Sequence, residues 1–234
     1  VTGERGYAAP TRAAVRADDA EVRQERGSTV EAKAKRGPSQ RKAARWEEIL
    51  SAAAKVFHEK GYDAASVQDV ASESGLLKGS IYYYIKTKED LLYALIERVH
   101  ERSLIAVAED EELAHQSADV RLRTFLHRWM ELVDANREWL IIGEREFLGL
   151  NGERLQTIID YREKLSAHLR RIVEAGVAEG TIDPETDPAV AANAIFTMLN
   201  QTTTWYRPGQ RLTFEELTEW FVGFIVRGLA PASG

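Results

Sequence analysis

The chain has 234 residues, enough for one large or two small domains and for a sizeable buried core. At 44% hydrophobic and 29% charged it sits near the globular average, which excludes disorder throughout and fibrous repeats. The net charge is −6 and cysteine is absent, so a disulfide framework, a thiolate zinc site and a cysteine nucleophile are excluded.

No apolar run approaches the roughly 18 residues of a membrane span, and the absence of cysteine fits a cytoplasmic protein. The charge is unevenly spread. Residues 1–88 hold 16 Lys/Arg against 12 Asp/Glu, a net of +4, and residues 89–234 hold 15 against 25, a net of −10. A positive module attached to a negative body is the pattern this suggests.

In chain order, residues 1–39 come first. They are rich in Ala, Arg, Gly and Glu with almost no large apolar side chains, and read as a disordered basic arm. From Lys33 to Arg45 the basic residues Lys33, Lys35, Arg36, Arg41, Lys42 and Arg45 meet no acidic one. The 145 residues between Pro38 and Pro184 then contain no proline, and apolar residues recur three and four apart, which predicts an all-α protein.

A first helix is predicted over about Gln40–Lys60, with Trp46, Ile49, Ala53, Val56 and Phe57 on one stripe and Gly61 as its cap. Ser66 and Asp69 form a capping box that opens a second helix, which Gly75 breaks. A two-turn third helix is predicted over Lys78–Tyr84, and Thr87 with Asp90 caps a fourth carrying Leu91, Leu92, Leu95, Ile96 and Val99. Later helices are predicted near 120–136, 137–149 and 153–179, from Asp187–Pro188 to about Tyr206, and from the Thr213–Glu216 capping box to near Gly228.

Two short helices joined through a glycine turn beside a basic arm make a helix-turn-helix candidate over 40–88. Within the third helix Ile81 and Ile85 face inward together, whereas Tyr82, Tyr83 and Tyr84 sweep too wide an arc to share that face. Lys78, Gly79 and Ser80 open it with a cation, a residue permitting close approach and a hydroxyl. Such an end suits insertion into a major groove, with tyrosine hydroxyls holding phosphates.

The run from Gly79 to Leu92, together with Phe57, Gly61, Ser66, Val70, Ala71 and Gly75, resembles the hallmark of the TetR family of bacterial transcriptional repressors over about residues 41–95. The resemblance implies a homodimer that binds double-stranded DNA through an N-terminal helix-turn-helix and carries a helical effector-binding and dimerisation domain, here 89–234, with about nine helices in all. It places operator contacts on Gln68, Lys78, Gly79, Ser80, Tyr82, Tyr83, Tyr84 and Lys88, the last at a phosphate; the basic Arg41, Lys42 and Arg45 are expected to join them. Tyr84 and Ile85 depart from the residues common there.

In the body, the helix from Phe214 is apolar on more than one face, and small alanines line the helix before it. A two-fold interface through Ala194, Met198, Leu217, Phe221, Phe224 and Ile225 is therefore expected. Effector-binding candidates are Phe125, Trp129, Trp139, Phe147, Phe196, Asn200, Thr204 and Trp205. Aromatic residues at helical spacing are more often plain core, so polar groups on apolar stretches (His127, Glu144, Asn193, Thr197, Asn200, Gln201 and Thr204) carry more weight. The run Thr204–Gly209 resembles a C-terminal pattern of a TetR subgroup that answers to acyl-CoA thioesters. Either it marks that effector class or it only shapes the dimer.

Enzyme motifs are missing: no G-x-S-x-G, H-E-x-x-H or glycine-rich phosphate loop occurs, so no catalytic residue is expected. The histidines never fall three or four apart, and neither metal nor cofactor is expected. A regulator answering to a hydrophobic drug, or an architectural DNA-binding protein without an effector, are the competing readings.

Overall fold

The computed structural model describes residues 38–108 and 111–232. The expected arm, with Lys33, Lys35 and Arg36, lies outside them apart from its last two residues. Two units are distinguished, one ending at Glu48 and one beginning at Ile49. The described residues are helical without a strand, as the spacing predicts, and none of their helices is long and apolar enough to cross a membrane.

Helix α1 (Pro38–Lys60) starts slightly earlier than expected. Up to Glu48 it is exposed or half-buried, with Arg45 paired to Glu48. From Ile49 onward Ile49, Leu50, Ala53, Val56 and Phe57 are buried. Gly61, at φ +79°, ends it in the left-handed conformation that glycine tolerates best. Helix α2 (Val67–Glu73) opens on the expected box: the Asp69 N–H donates to Ser66 Oγ at 3.2 Å, and the Ser66 N–H to Asp69 Oδ2 at 2.9 Å. Each such cap contributes about 1 kcal/mol.

Helix α3 (Lys78–Ile81) is a single turn, shorter than expected. Beyond it the chain tightens: the Tyr83 and Tyr84 N–H groups donate to the Ser80 and Ile81 carbonyls at 3.3 and 2.9 Å. This tighter winding keeps Ile85 in the core beside Ile81. Helix α4 (Lys88–Val107) begins at the Thr87–Asp90 box.

Then come α5 (Glu111–Ala114), α6 (Ala118–Ala135), α7 (Arg137–Glu146) with a 3-10 turn over Phe147–Gly149, and α8 (Gly152–Glu179). Helix α9 (Pro188–Asn200) is capped by Asp187 and stops short of the expected Tyr206. The cause is local. The hydroxyls of Thr202, Thr203 and Thr204 donate to the carbonyls three residues back, at 2.6, 2.8 and 2.7 Å, and so compete with the helical ladder. Only the single turn α10 (Thr202–Trp205) follows, before the Thr213 box opens α11 (Phe214–Leu229).

Helix α4 is the centre of the body, packing on α6, α7 and α8; α8 carries α9, and α6 carries α11. Leu91, Leu95 and Ile96 of α4, Leu126 and Met130 of α6, and Ile158, Leu169 and Ile172 of α8 are fully buried. Each such side chain stabilises the fold by roughly 1.5–3 kcal/mol.

Candidate functional site

The region from α2 to the start of α4 presents one unusual surface. Ile81 and Ile85 anchor α3 from beneath, at 0% and 4% exposure. Lys78, Gly79 and Ser80 are exposed above them, with Tyr82 at 53% and Tyr83 at 82%. Gln68 of α2 is exposed as well, and Tyr84 is half-buried against the Tyr83 ring. A Cβ added at Gly79 would meet no atom of the described residues within 4 Å, so their packing does not require glycine there. Leu77, the residue before α3, makes no side-chain cap bond and is 82% exposed. An apolar residue at a capping position is the signal by which it could have been noticed in the sequence.

Lys88 has a different setting. Its ammonium donates to the Tyr62, Asp63 and Ala65 carbonyls at 2.8, 3.1 and 3.1 Å and lies 4.4 Å from the Tyr62 ring centre. Three N–H groups meet three carbonyls. Lys88 thereby gathers the carbonyl oxygens left over after α1 and ties that turn to α4. Nearby, Arg154 of α8 pairs with Asp90 and Glu89. Burial pushes the Asp90 carboxyl up, but the Arg154 guanidinium and the Thr87 and Lys86 N–H groups outweigh it and hold the group at about 2.

A cavity of about 330 Å³ lies in the body. Helix α4 contributes Val99, His100 and Ser103, α6 Trp129, and α7 Leu140, Gly143 and Glu144. Helix α8 adds Arg162, Leu165 and Ser166. Asn193, Phe196, Thr197, Asn200 and Gln201 complete it from α9 and its end. The Trp129 and Phe196 rings meet edge to face at 4.7 Å, and the Trp129 indole N–H donates to Asn200 Oδ1 at 3.0 Å. Arg162 pairs with Glu144 and covers the Phe147 ring at 3.9 Å.

Of the aromatic candidates, Trp129 and Phe196 line this cavity. Phe125 lies one layer behind, parallel to Trp129 at 6.1 Å. Trp139 is buried beneath Arg102, Phe147 lies under Arg162, and Trp205 is 49% exposed. Of the polar candidates, Glu144, Asn193, Thr197, Asn200 and Gln201 reach it. His127 pairs instead with Glu219 at 2.9 Å, and Thr204 bonds Gln201. The run Thr204–Gly209 forms a corner off the cavity: Arg137 donates to the Thr203 and Tyr206 carbonyls, both at 2.6 Å, and the Tyr206 side chain is buried. His100, Ser103, Leu140, Arg162 and Ser166 had no periodic signal marking them, because they come from three helices.

The surface of α9 and α11 is apolar. Leu217, Phe221 and Ile225 are buried by the chain itself. On the adjoining stripe Trp220 and Phe224 are half exposed and stacked at 5.0 Å. Val190 is 64% exposed, Ala194 is exposed and Met198 half-buried on α9.

Comparison with known proteins gives two family matches. Residues 49–95 match the family described as bacterial regulatory proteins, tetR family, and residues 115–229 the Tetracyclin repressor-like, C-terminal domain. The HTH-type transcriptional repressor KstR2 of Rhodococcus jostii is 26% identical over 195 residues, covering 81% of this chain and 93% of that protein. The fatty acid metabolism regulator protein of Bacillus subtilis is 27% identical, covering 80% and 97%. Among solved structures, AibR in complex with isovaleryl coenzyme A and operator DNA is similar, with a TM-score of 0.69 and 27% identity over 77% of this chain and 97% of that one.

Proposed function

We propose, since this chain belongs to the TetR family of bacterial regulatory proteins, that it is a cytoplasmic repressor which leaves an inverted-repeat operator when an acyl thioester fills its cavity. The observation that carries the reading is the α3 surface. Two isoleucines are sunk beneath the turn, while a lysine, a glycine, a serine and two tyrosines stand exposed above it. In a major groove Lys78 and Ser80 meet base edges or phosphate, Gly79 lets the backbone approach, and Tyr82, Tyr83 and Gln68 hold the register. Arg41 and Lys42, both exposed, and Arg45 add cationic charge along the backbone.

Two copies associate through α9 and α11, with Val190, Ala194, Trp220 and Phe224 facing the partner. The relatives named for fatty acid metabolism and for isovaleryl coenzyme A support the effector class. At about 330 Å³ the cavity is at the small end for ligand sites, so it takes the acyl part and leaves a nucleotide outside at its mouth. The effector favours a spacing of the two α3 helices that does not match successive grooves.

The test begins with selection of genomic fragments by the full chain. An inverted repeat is expected, bound with a log–log salt slope near −7 if about eight phosphates are contacted. Release is then titrated with acyl-CoAs of graded length beside free acids and free coenzyme A. Release by a hydrophobic drug or another metabolite alone would replace the thioester; no selected sequence at all would overturn the regulator reading.

A further inference from the structure

We infer that the cavity selects an effector whose inserted part is neutral and apolar but bears a hydrogen-bond donor, a hydroxyl on its acyl chain, aimed at His100, and a carbonyl aimed at Asn200. This rests on reading the cavity as the effector site.

His100 is buried on α4, and its Nδ1 lies 2.8 Å from the Ile96 carbonyl oxygen. A carbonyl only accepts, so Nδ1 carries the hydrogen. Burial holds the ring below the ordinary histidine pKa; the Ile96 bond and Glu144 oppose this and Arg162 reinforces it. At neutral pH the ring is therefore uncharged, with a bare lone pair at Nε2. That nitrogen makes no hydrogen bond to any described residue, and with Nδ1 turned back onto its own helix it is the edge left for the cavity. Ser103 follows the same logic: its hydroxyl hydrogen is committed to the Val99 carbonyl at 2.7 Å, leaving only lone pairs. The α4 wall thus accepts and does not donate.

The α9 side has the opposite polarity. An indole N–H only donates, so the Asn200 atom 3.0 Å from Trp129 is the oxygen. Its amide N–H groups remain for the ligand. Glu144 and Arg162 neutralise each other at the cavity, so the enclosed part of the ligand carries no charge. A hydroxyacyl group satisfies both walls. A saturated acyl group covers the acceptors of α4 without meeting them, which costs about tenfold or more in affinity.

The experiment uses matched pairs that differ only in a hydroxyl: 3-hydroxyacyl and saturated acyl thioesters of equal length, over a series of chain lengths. Binding is read from the fluorescence of the tryptophans, Trp129 among them. Wild-type protein should prefer the hydroxylated member at least about tenfold, and H100F should abolish that preference, because the acceptor that the deoxy member leaves unmet is gone. N200L should weaken both members alike. Nitrogen NMR of the unsubstituted protein supplies a readout that needs neither variant nor ligand: His100 should be neutral at pH 7 with its hydrogen on Nδ1. A charged ring, an Nε2–H tautomer, equal affinities within every pair, or no binding by any pair would overturn the inference. Loss of operator selection with the hydroxyl preference intact would instead sink the regulator reading.

Discussion

The α3 surface proposed for the operator and the cavity proposed for the effector are built in opposite ways. At α3 the functional groups are consecutive in sequence and exposed, and two buried isoleucines fix their orientation. In the cavity they come from five helices, range from buried His100 and Ser103 to exposed Glu144 and Asn193, and owe their chemistry to which hydrogen bonds their neighbours have already used. A surface that reads a partner can be altered one residue at a time without touching the core. A cavity cannot, because its lining is also the packing that holds α4 in place.

The sharpest test of that contrast sets Ile81 against Tyr83. Ile81→Ala empties a fully buried position and should cost about 2–5 kcal/mol in thermal or denaturant unfolding, taking operator binding with it. Tyr83→Ala should leave unfolding within about 0.5 kcal/mol of wild type and still weaken operator binding. Equal destabilisation by both would remove the distinction between support and reading surface.

A second test concerns the stripe beside the buried face of α11. Replacing Trp220 and Phe224 together with serine should yield monomers by sedimentation while helix content and monomer unfolding stay near wild type, since both rings are half exposed. Operator affinity should fall well over tenfold, because linked half-sites are lost. Leu217→Ser, on the inward stripe, should unfold the protein instead. A dimer that survives the Trp220/Phe224 change would return the interface to other residues.

What was legible in the sequence follows the same division. The capping boxes at Ser66, Thr87 and Thr213 and the stop at Gly61 are local chemistry, and each appears where the sequence places it. The α3 surface was legible because one short segment carries it. Helix α9 was overextended because three threonine hydroxyls bond carbonyls of their own turn, a competition that apolar spacing does not register. In the cavity, polar residues interrupting apolar stretches were better guides than aromatics: Asn193, Thr197 and Gln201 reach it, whereas Trp139 and Trp205 do not. His100 and Ser103 stayed hidden on a stripe that looks like ordinary core, since which helix faces them is a property of the tertiary fold.

Lys88 sharpens the comparison between contact and support. Expected at a phosphate, it has its N–H groups on three carbonyls of the α1–α2 turn. Lys88→Met should therefore lower stability by about 1–3 kcal/mol and reduce operator affinity, yet leave the salt slope unchanged. Lys78→Ala should do the reverse, sparing stability and lowering the slope by about 0.9 if it meets a phosphate. A slope change of that size on replacing Lys88 would restore it to the contact surface.

The smallest effect expected is a difference in acid response between the two aspartates of the first two capping boxes. Asp69 is held at about 2 by Lys60 and by the Ser66 hydroxyl and N–H, and Asp90 at about 2 by Arg154 and the Thr87 and Lys86 N–H groups despite its burial. Both folded values lie below the ordinary carboxylate value of 3.8. Protonation thus favours the unfolded chain, and the stability these groups supply is fully present above about pH 4 and is lost as pH falls toward 2. The Lys60–Asp69 pair is half open to solvent and joins no other helix of the body, so salt should screen much of its share. Asp90 also joins α4 to α8 through Arg154, so its loss should be felt by the whole body. Melting temperatures followed from pH 6 to pH 2 should show a shallower fall for Asp90→Asn than for wild type, starting from a lower value at pH 6. For Asp69→Asn the same change should be smaller and nearly vanish at high salt. Identical profiles for the two variants would mean that the link between α4 and α8 contributes no more than a surface cap does.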